Sequence, residues 1–232
     1  MPGVPGPCVI GVIAGVKSEL TALAGIRDAT HAPIVRLSGA RATRAESEVR
    51  ALINAGCTAI LSFGVCGALD PKCRPGALIV ADAVITPDGI RMACDQAWSG
   101  CLATALDTAP RTIQGSDSVA GAGAKSRAFA ATQAVGVDME SHIAAKLAAE
   151  HGLPFAALRA VADPADMDIP AWILKTVGED GGIRMSAVLG GVLSHPLQIG
   201  TLIALGNANK RALKSLSGAV VRLGPTLGFL AR

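Results

Sequence analysis

The run from Phe155 to Ala162 is apolar at every position but Arg159, and it ends on a carboxylate, Asp163. A strand that is hydrophobic on both faces belongs in a sheet covered by helices on both sides, which is the parallel α/β arrangement. Such sheets collect their reactive groups at the carboxyl ends of the strands, so Asp163 sits where a ligand would lie. Just upstream, Val-Asp-Met-Glu at 137–140 precedes a segment whose Ile143, Ala144, Leu147 and Ala148 follow helical spacing. Asp138 and Glu140 enter that helix, and Glu140 can face the same crevice.

The rest of the chain supports the same class. Val9 to Ala14 reads as a first strand, followed by a turn at Gly15 and a helix from Ser18 to about Ile26. Thr58 to Phe63 is a second buried strand ahead of a Gly64 to Gly67 loop, and Ala77 to Val84 is a third after the sharp Arg74-Pro75-Gly76 turn. The Ala- and Gly-rich stretch 120–134 fits a helix or a loop equally. With 232 residues, half of them apolar but without a single Tyr, the chain can fill one substantial core of Ala, Val, Leu and Ile. We therefore expect a single three-layer α/β/α domain over residues 8–180. A turn-rich stretch, Met167 to Gly182, then leads into a helical extension, 181–232.

That extension has a different charge. Residues 1–180 carry 15 basic against 18 acidic side chains, whereas 181–232 carry six basic and no acidic ones. Leu213, Leu216, Val220 and Leu223 recur at helical spacing beside Lys210, Arg211 and Lys214, giving a basic amphipathic helix. Its apolar stripe fits the domain's own core and an anionic membrane surface equally well. Interruption at Ser194-His195-Pro196 leaves no run long enough to span a bilayer.

Several functions find no support. The six cysteines include no C-x-x-C pair and the four histidines are scattered, so neither a zinc site nor any other metal or cofactor is expected. The cysteines read as free thiols in a reducing cytoplasm, and the amino terminus lacks the basic region of a signal peptide. Nucleic-acid binding is not expected, because the basic residues lack interleaved aromatics.

Three blocks, IGVIAGVKSE at 10–19, LSFGVCGALDPKCRPGALIV at 61–80 and Gly115-Ser116-Asp117, precede VDME and the ADPAD of 162–166. In that order they resemble the purine nucleoside phosphorylase and methylthioadenosine/adenosylhomocysteine nucleosidase superfamily. Within it the basic tail is similar to the hopanoid-associated phosphorylases. The resemblance implies the nucleoside phosphorylase fold, a homo-oligomer and cleavage of a purine N-glycosidic bond. It gives Asp163 the proton for purine N7, Glu140 and Met139 the ribose, and Glu19 the attacking water. Val65, Cys66 and Gly67 would lie near the sugar or nucleophile, and Val119 near the base. The closer likeness implies adenosylhopane, an adenine nucleoside with a hydrophobic 5′ substituent, cleaved to adenine and a ribosyl hopane in the cytoplasm or at the inner membrane face.

Each residue also has a plainer reading. Asp163 before Pro164 fits a helix N-cap, while Glu140 and Asp138 fit acids that complement a helix dipole. Water and phosphate both remain open as nucleophile. Glu19 beside a phosphate would repel it, which favours water, whereas Lys17, Arg41 and Arg44 are the cations available to hold an anion. Val119 stands where the nucleosidases have a Phe that stacks on adenine, and it cannot stack. A soluble methylthioadenosine or adenosylhomocysteine nucleosidase and a non-catalytic nucleoside-binding module are the other readings.

Overall fold

The computed structural model describes residues 8–27, 29–174, 182, 190 and 194–230. The strands are β1 (Ile10–Ala14), β2 (Ile34–Leu37), β3 (Ala59–Ala68), β4 (Leu78–Ile85), β5 (Arg91–Ala93), β6 (Arg111–Gly115), β7 (Gly136–Asp138) and β8 (Phe155–Asp163). The helices are α1 (Lys17–Leu20), α2 (Ala42–Asn54), α3 (Gln96–Leu106), α4 (Ala122–Thr132), α5 (Ser141–Glu150), α6 (Ala171–Leu174) and α7 (Ile199–Leu223).

The α/β class holds, but the sheet is mixed where a parallel one was expected. β1 pairs in parallel with β2 and β3, and β3 with β8, whereas β8 meets β4 antiparallel, as β7 does β3 and β5 does β4. The link 69–77 is too short for a parallel crossover, which takes a dozen residues or more, and β4 returns antiparallel beside β8. β4 then pairs with β6, β6 with β7, and β7 with the far end of β3. These five strands therefore close a ring, β3-β8-β4-β6-β7.

Two apolar clusters cover the sheet, and strand alternation assigns residues to each. On one side Leu61 and Phe63 of β3 and Ala156, Leu158 and Ala160 of β8 pack on α3 and α7. On the other, Ile60 and Cys66 of β3 and Ala157 and Val161 of β8 pack with Val49 and Leu52 of α2 and with Ala144, Ala145, Leu147 and Ala148 of α5.

Helix α7 resolves the ambiguity of the basic tail. Leu216, Val220 and Leu223 are buried in the first cluster and Leu213 packs against it, so the amphipathic stripe belongs to the core. Trp98 of α3 donates its indole N–H to the Leu227 carbonyl at 2.9 Å and meets the Phe229 ring edge-on. Helix α7 thus packs in one body with the described residues up to Leu174, and the boundary expected at 180/181 lies outside the described residues. No described helix is long and apolar enough to cross a membrane.

Other local expectations shift as well. The helix expected from Ser18 to Ile26 stops at Leu20 and resumes as a 3-10 turn over Ala24–Ile26. The ambiguous 120–134 stretch is helix α4, and β3 runs on through the presumed Gly64 to Gly67 loop to Ala68.

Candidate active site

Asp163, Glu140 and Glu19 line one cavity, together with Val65, Cys66, Gly67, Val119 and Met139. Each acid arrives on a different element. Asp163 ends β8, Glu140 stands between β7 and α5, and Glu19 lies in the first turn after β1. β3 carries the floor between them. Its residue Gly67 pairs in register with Asp163, across a bulge between Cys66 and Gly67. Val65, Cys66 and Gly67 therefore reach the cavity from a strand and not from a loop.

Glycine at two β3 positions is required by close approach. A Cβ on Gly64 would stand 2.3 Å from Glu19 Oε1 and 2.9 Å from Arg159 Nη1, and one on Gly67 would stand 2.9 Å from Asp163 Oδ2. The glycines of the expected 64–67 loop make room for side chains of the chain itself.

Glu19 is held by backbone amides. Oε2 accepts from Gly15 N–H at 2.6 Å and Val16 N–H at 2.9 Å, and Oε1 accepts from Val65 N–H at 2.8 Å. A carboxylate has about four lone-pair directions, so one remains to orient a water. Burial raises its pKa above the usual carboxylate value, against the opposing pull of Arg159 and the three amides.

Glu140 is 4% exposed, accepts from Ser38 Oγ at 2.9 Å, and lies 3.5 Å from Arg159 Nη2. Burial pushes its pKa up to about 7, with Arg159 pulling it down and the Asp138 and Glu19 charges pushing it further up. Helix α5 is capped instead by Asp138, whose Oδ1 accepts from the Glu140 and Ser141 N–H groups at 2.9 and 2.7 Å. The helix-start role thus falls to Asp138 and leaves Glu140 free to face the cavity. Asp163 is no N-cap, since a turn and not a helix follows Pro164.

Two buried cations complete the site, and the sequence reading passed over both. Arg159, fully buried on β8, sets Nε 3.0 Å from Asp138 Oδ2 without hydrogen-bond alignment and donates from Nη2 to Ser62 and Ser141 hydroxyls. A lone Arg inside an otherwise apolar strand was the available signal, because buried arginine is rare unless paired. Lys125 of α4, 1% exposed, donates from Nζ to Asp163 Oδ2 and to the Pro164 and Met167 carbonyls at 2.9 and 3.1 Å. Nothing in the Ala- and Gly-rich segment around Lys125 marks it as internal.

Lys17, Arg41 and Arg44 are not among the cavity's lining residues. Cys66 lines it, but burial pushes its thiol well above the usual range, so it presents no thiolate. Ser118, Val119 and Ala120 form a rim of the cavity, with Val119 39% exposed. Behind that rim Asp117 pairs with Nε2 of the buried His142 at 3.2 Å. No group of three or more potential metal ligands occurs among the described residues.

Solved structures share this architecture. Futalosine hydrolase of Helicobacter pylori superposes with a TM-score of 0.71 at 14% identity, covering 93% of this chain and 97% of that one. The methylthioadenosine/S-adenosylhomocysteine nucleosidase of Neisseria meningitidis, in complex with methylthio-immucillin-A, gives 0.69 at 15% identity over 94% and 98%. The S-adenosylhomocysteine nucleosidase of Streptococcus pyogenes, in complex with 5-methylthiotubericidin, gives 0.65 at 22% identity over 94% and 98%. No curated protein sequence matches the chain. The family model described as the phosphorylase superfamily matches residues 26–194, well over half of the molecule, and the chain belongs to that enzyme superfamily.

Proposed function

We propose that the protein is an N-glycosidase that hydrolyses an adenine nucleoside bearing a hydrophobic 5′ substituent. One observation carries the reading: Glu19, Glu140 and Asp163, which serve three different needs of this reaction, converge on one cavity. Asp163 protonates N7, so that adenine leaves neutral. Glu140 holds the two ribose hydroxyls with Met139 against the sugar, and its charge stabilises the oxocarbenium ion. Glu19 directs water at C1′, and Val119 with its neighbours borders the base. Lys125 is the cation among the described lining residues, and its three protons already have acceptors, which favours water over a phosphate dianion.

Adenosylhopane is the substrate we put forward within that class. Ile169 lines the cavity, and three residues on, Trp172 donates to Gln198 at 2.6 Å, tying that rim to the start of α7. There Leu197, Ile199 and Ile203 are exposed, an apolar surface suited to a lipid chain at the 5′ carbon. Lys210, Lys214 and Arg222 lie exposed farther along the helix and would face anionic lipid. The test is adenine release from a 5′-alkylated adenosine in phosphate-free buffer. We expect a product with a free anomeric hydroxyl. Strict dependence on phosphate would establish phosphorolysis, and preference for methylthioadenosine would establish the small-substituent nucleosidase.

A further inference from the structure

We infer that Lys125 is a positioning residue that resupplies the proton Asp163 gives to the purine; this rests on the proposed glycosidase reading. The two side chains are in direct contact at the base end of the cavity, and both line it. A lysine this deeply buried is rare, since removing an ammonium from water costs several kcal/mol unless its protons are satisfied. Here all three are taken, by Asp163 Oδ2 and by the carbonyls of Pro164 and Met167. The ammonium is therefore locked in direction as well as in place. A second tie, Ala122 N–H to Asp168 Oδ1 at 2.6 Å, fastens the start of α4 to the same turn. Space is kept for the pair by Gly67, where a Cβ would meet both Asp163 Oδ2 and, at 3.4 Å, Lys125 Cε.

The contact changes how the acid must work. The Lys125 ammonium donates directly to an oxygen of the carboxyl that must serve N7, so the acid does not work alone and the lysine proton takes part. As the C1′–N9 bond breaks, its electron pair goes to the purine, and N7 takes a proton from one Asp163 oxygen. Lys125 passes a proton to Oδ2, leaving a neutral amine. Water forms the new bond to C1′ and releases one proton to Glu19; after the products leave, Glu19 returns that proton to solvent and Lys125 takes one up. Proton uptake by the base equals proton loss by water, so the cycle balances.

The decisive variants are Lys125→Arg and Lys125→Met, assayed on an adenine nucleoside and on 4-nitrophenyl riboside, whose leaving group departs without protonation. Arginine keeps the charge and the donors but cannot give up a proton. With the adenine nucleoside, Lys125→Arg should lose turnover about 100-fold, within the range for general acid catalysis, with KM nearly unchanged. Its turnover of 4-nitrophenyl riboside should stay within about threefold of wild type. Lys125→Met should show the same split. Wild-type turnover of the adenine nucleoside by Lys125→Arg, or an equal loss on both substrates, would overturn the inference. A wild-type protein that releases no adenine would instead refute the glycosidase reading.

Discussion

The two ends of the cavity balance charge in opposite ways. At the end we propose for the ribose one guanidinium, Arg159, serves Asp138, Glu140 and Glu19, so acids outnumber cations in a buried setting. At the end we propose for the base one ammonium, Lys125, meets one carboxylate, Asp163. An unbalanced cluster suits a task in which positive charge develops nearby, as in an oxocarbenium ion. A balanced pair suits the movement of a proton, because the charge of the pair changes little until the proton leaves.

The base end should give the largest effect on rate. Asp163→Asn should lower turnover by about two to four orders of magnitude while substrate still binds, since an amide cannot pass a proton to N7. Turnover near wild type in a steady-state assay would reduce Asp163 to a structural partner of Lys125. The ribose end should give the largest effect on stability. Arg159→Met leaves three buried carboxylates without their shared cation, and a loss of about 3–5 kcal/mol is expected in urea denaturation. A loss below about 1 kcal/mol would mean that the serines and amides satisfy the carboxylates unaided.

A smaller effect separates the ends by pH. Burial pushes the Glu140 carboxyl up to about 7 in the folded protein, from the ordinary 4.5 of an exposed glutamate. Its contribution to stability is full below about pH 4.5 and is lost as pH rises through about 7. Activity should move the other way, with kcat/KM rising through about pH 7 as the charge that stabilises the sugar cation appears. Glu140→Gln should flatten both limbs. An unchanged acid limb in the variant would assign that titration elsewhere. The smallest expected change is Val119→Ala at the exposed rim, about fivefold in KM with kcat constant, because one small apolar contact is worth about 1 kcal/mol.

Much of this arrangement was legible in the sequence, and its limits have a physical cause. Asp163 and Glu140 could be singled out because each stands at a strand end or helix start, places that order along the chain reveals, whereas Glu19 came only from the resemblance of the 10–19 block to the nucleosidases. Arg159 and Lys125 sit within elements, and which side chain an interior position meets depends on register and helix rotation. The pairing of Gly67 with Asp163 is a fact of that kind. Glycine was ambiguous in the same way, since openness to a ligand and close approach by Glu19 leave the same residue in the sequence. The stripe of α7 had the right period, but periodicity names a face and not what covers it.

The closed ring of strands has a consequence for adaptability. Within it β3 has β8 on one side and β7 on the other, and β8 lies between β3 and β4. Sliding or peeling either strand breaks ladders on two sides at once, so their central amides should exchange with deuterium only through global opening. Asp163 and the 65–67 floor are therefore anchored to the slowest-exchanging part of the molecule. The 116–121 rim and the turn after Asp163 lie outside those ladders, so divergence toward new ligands can proceed there while the strand-borne frame stays fixed.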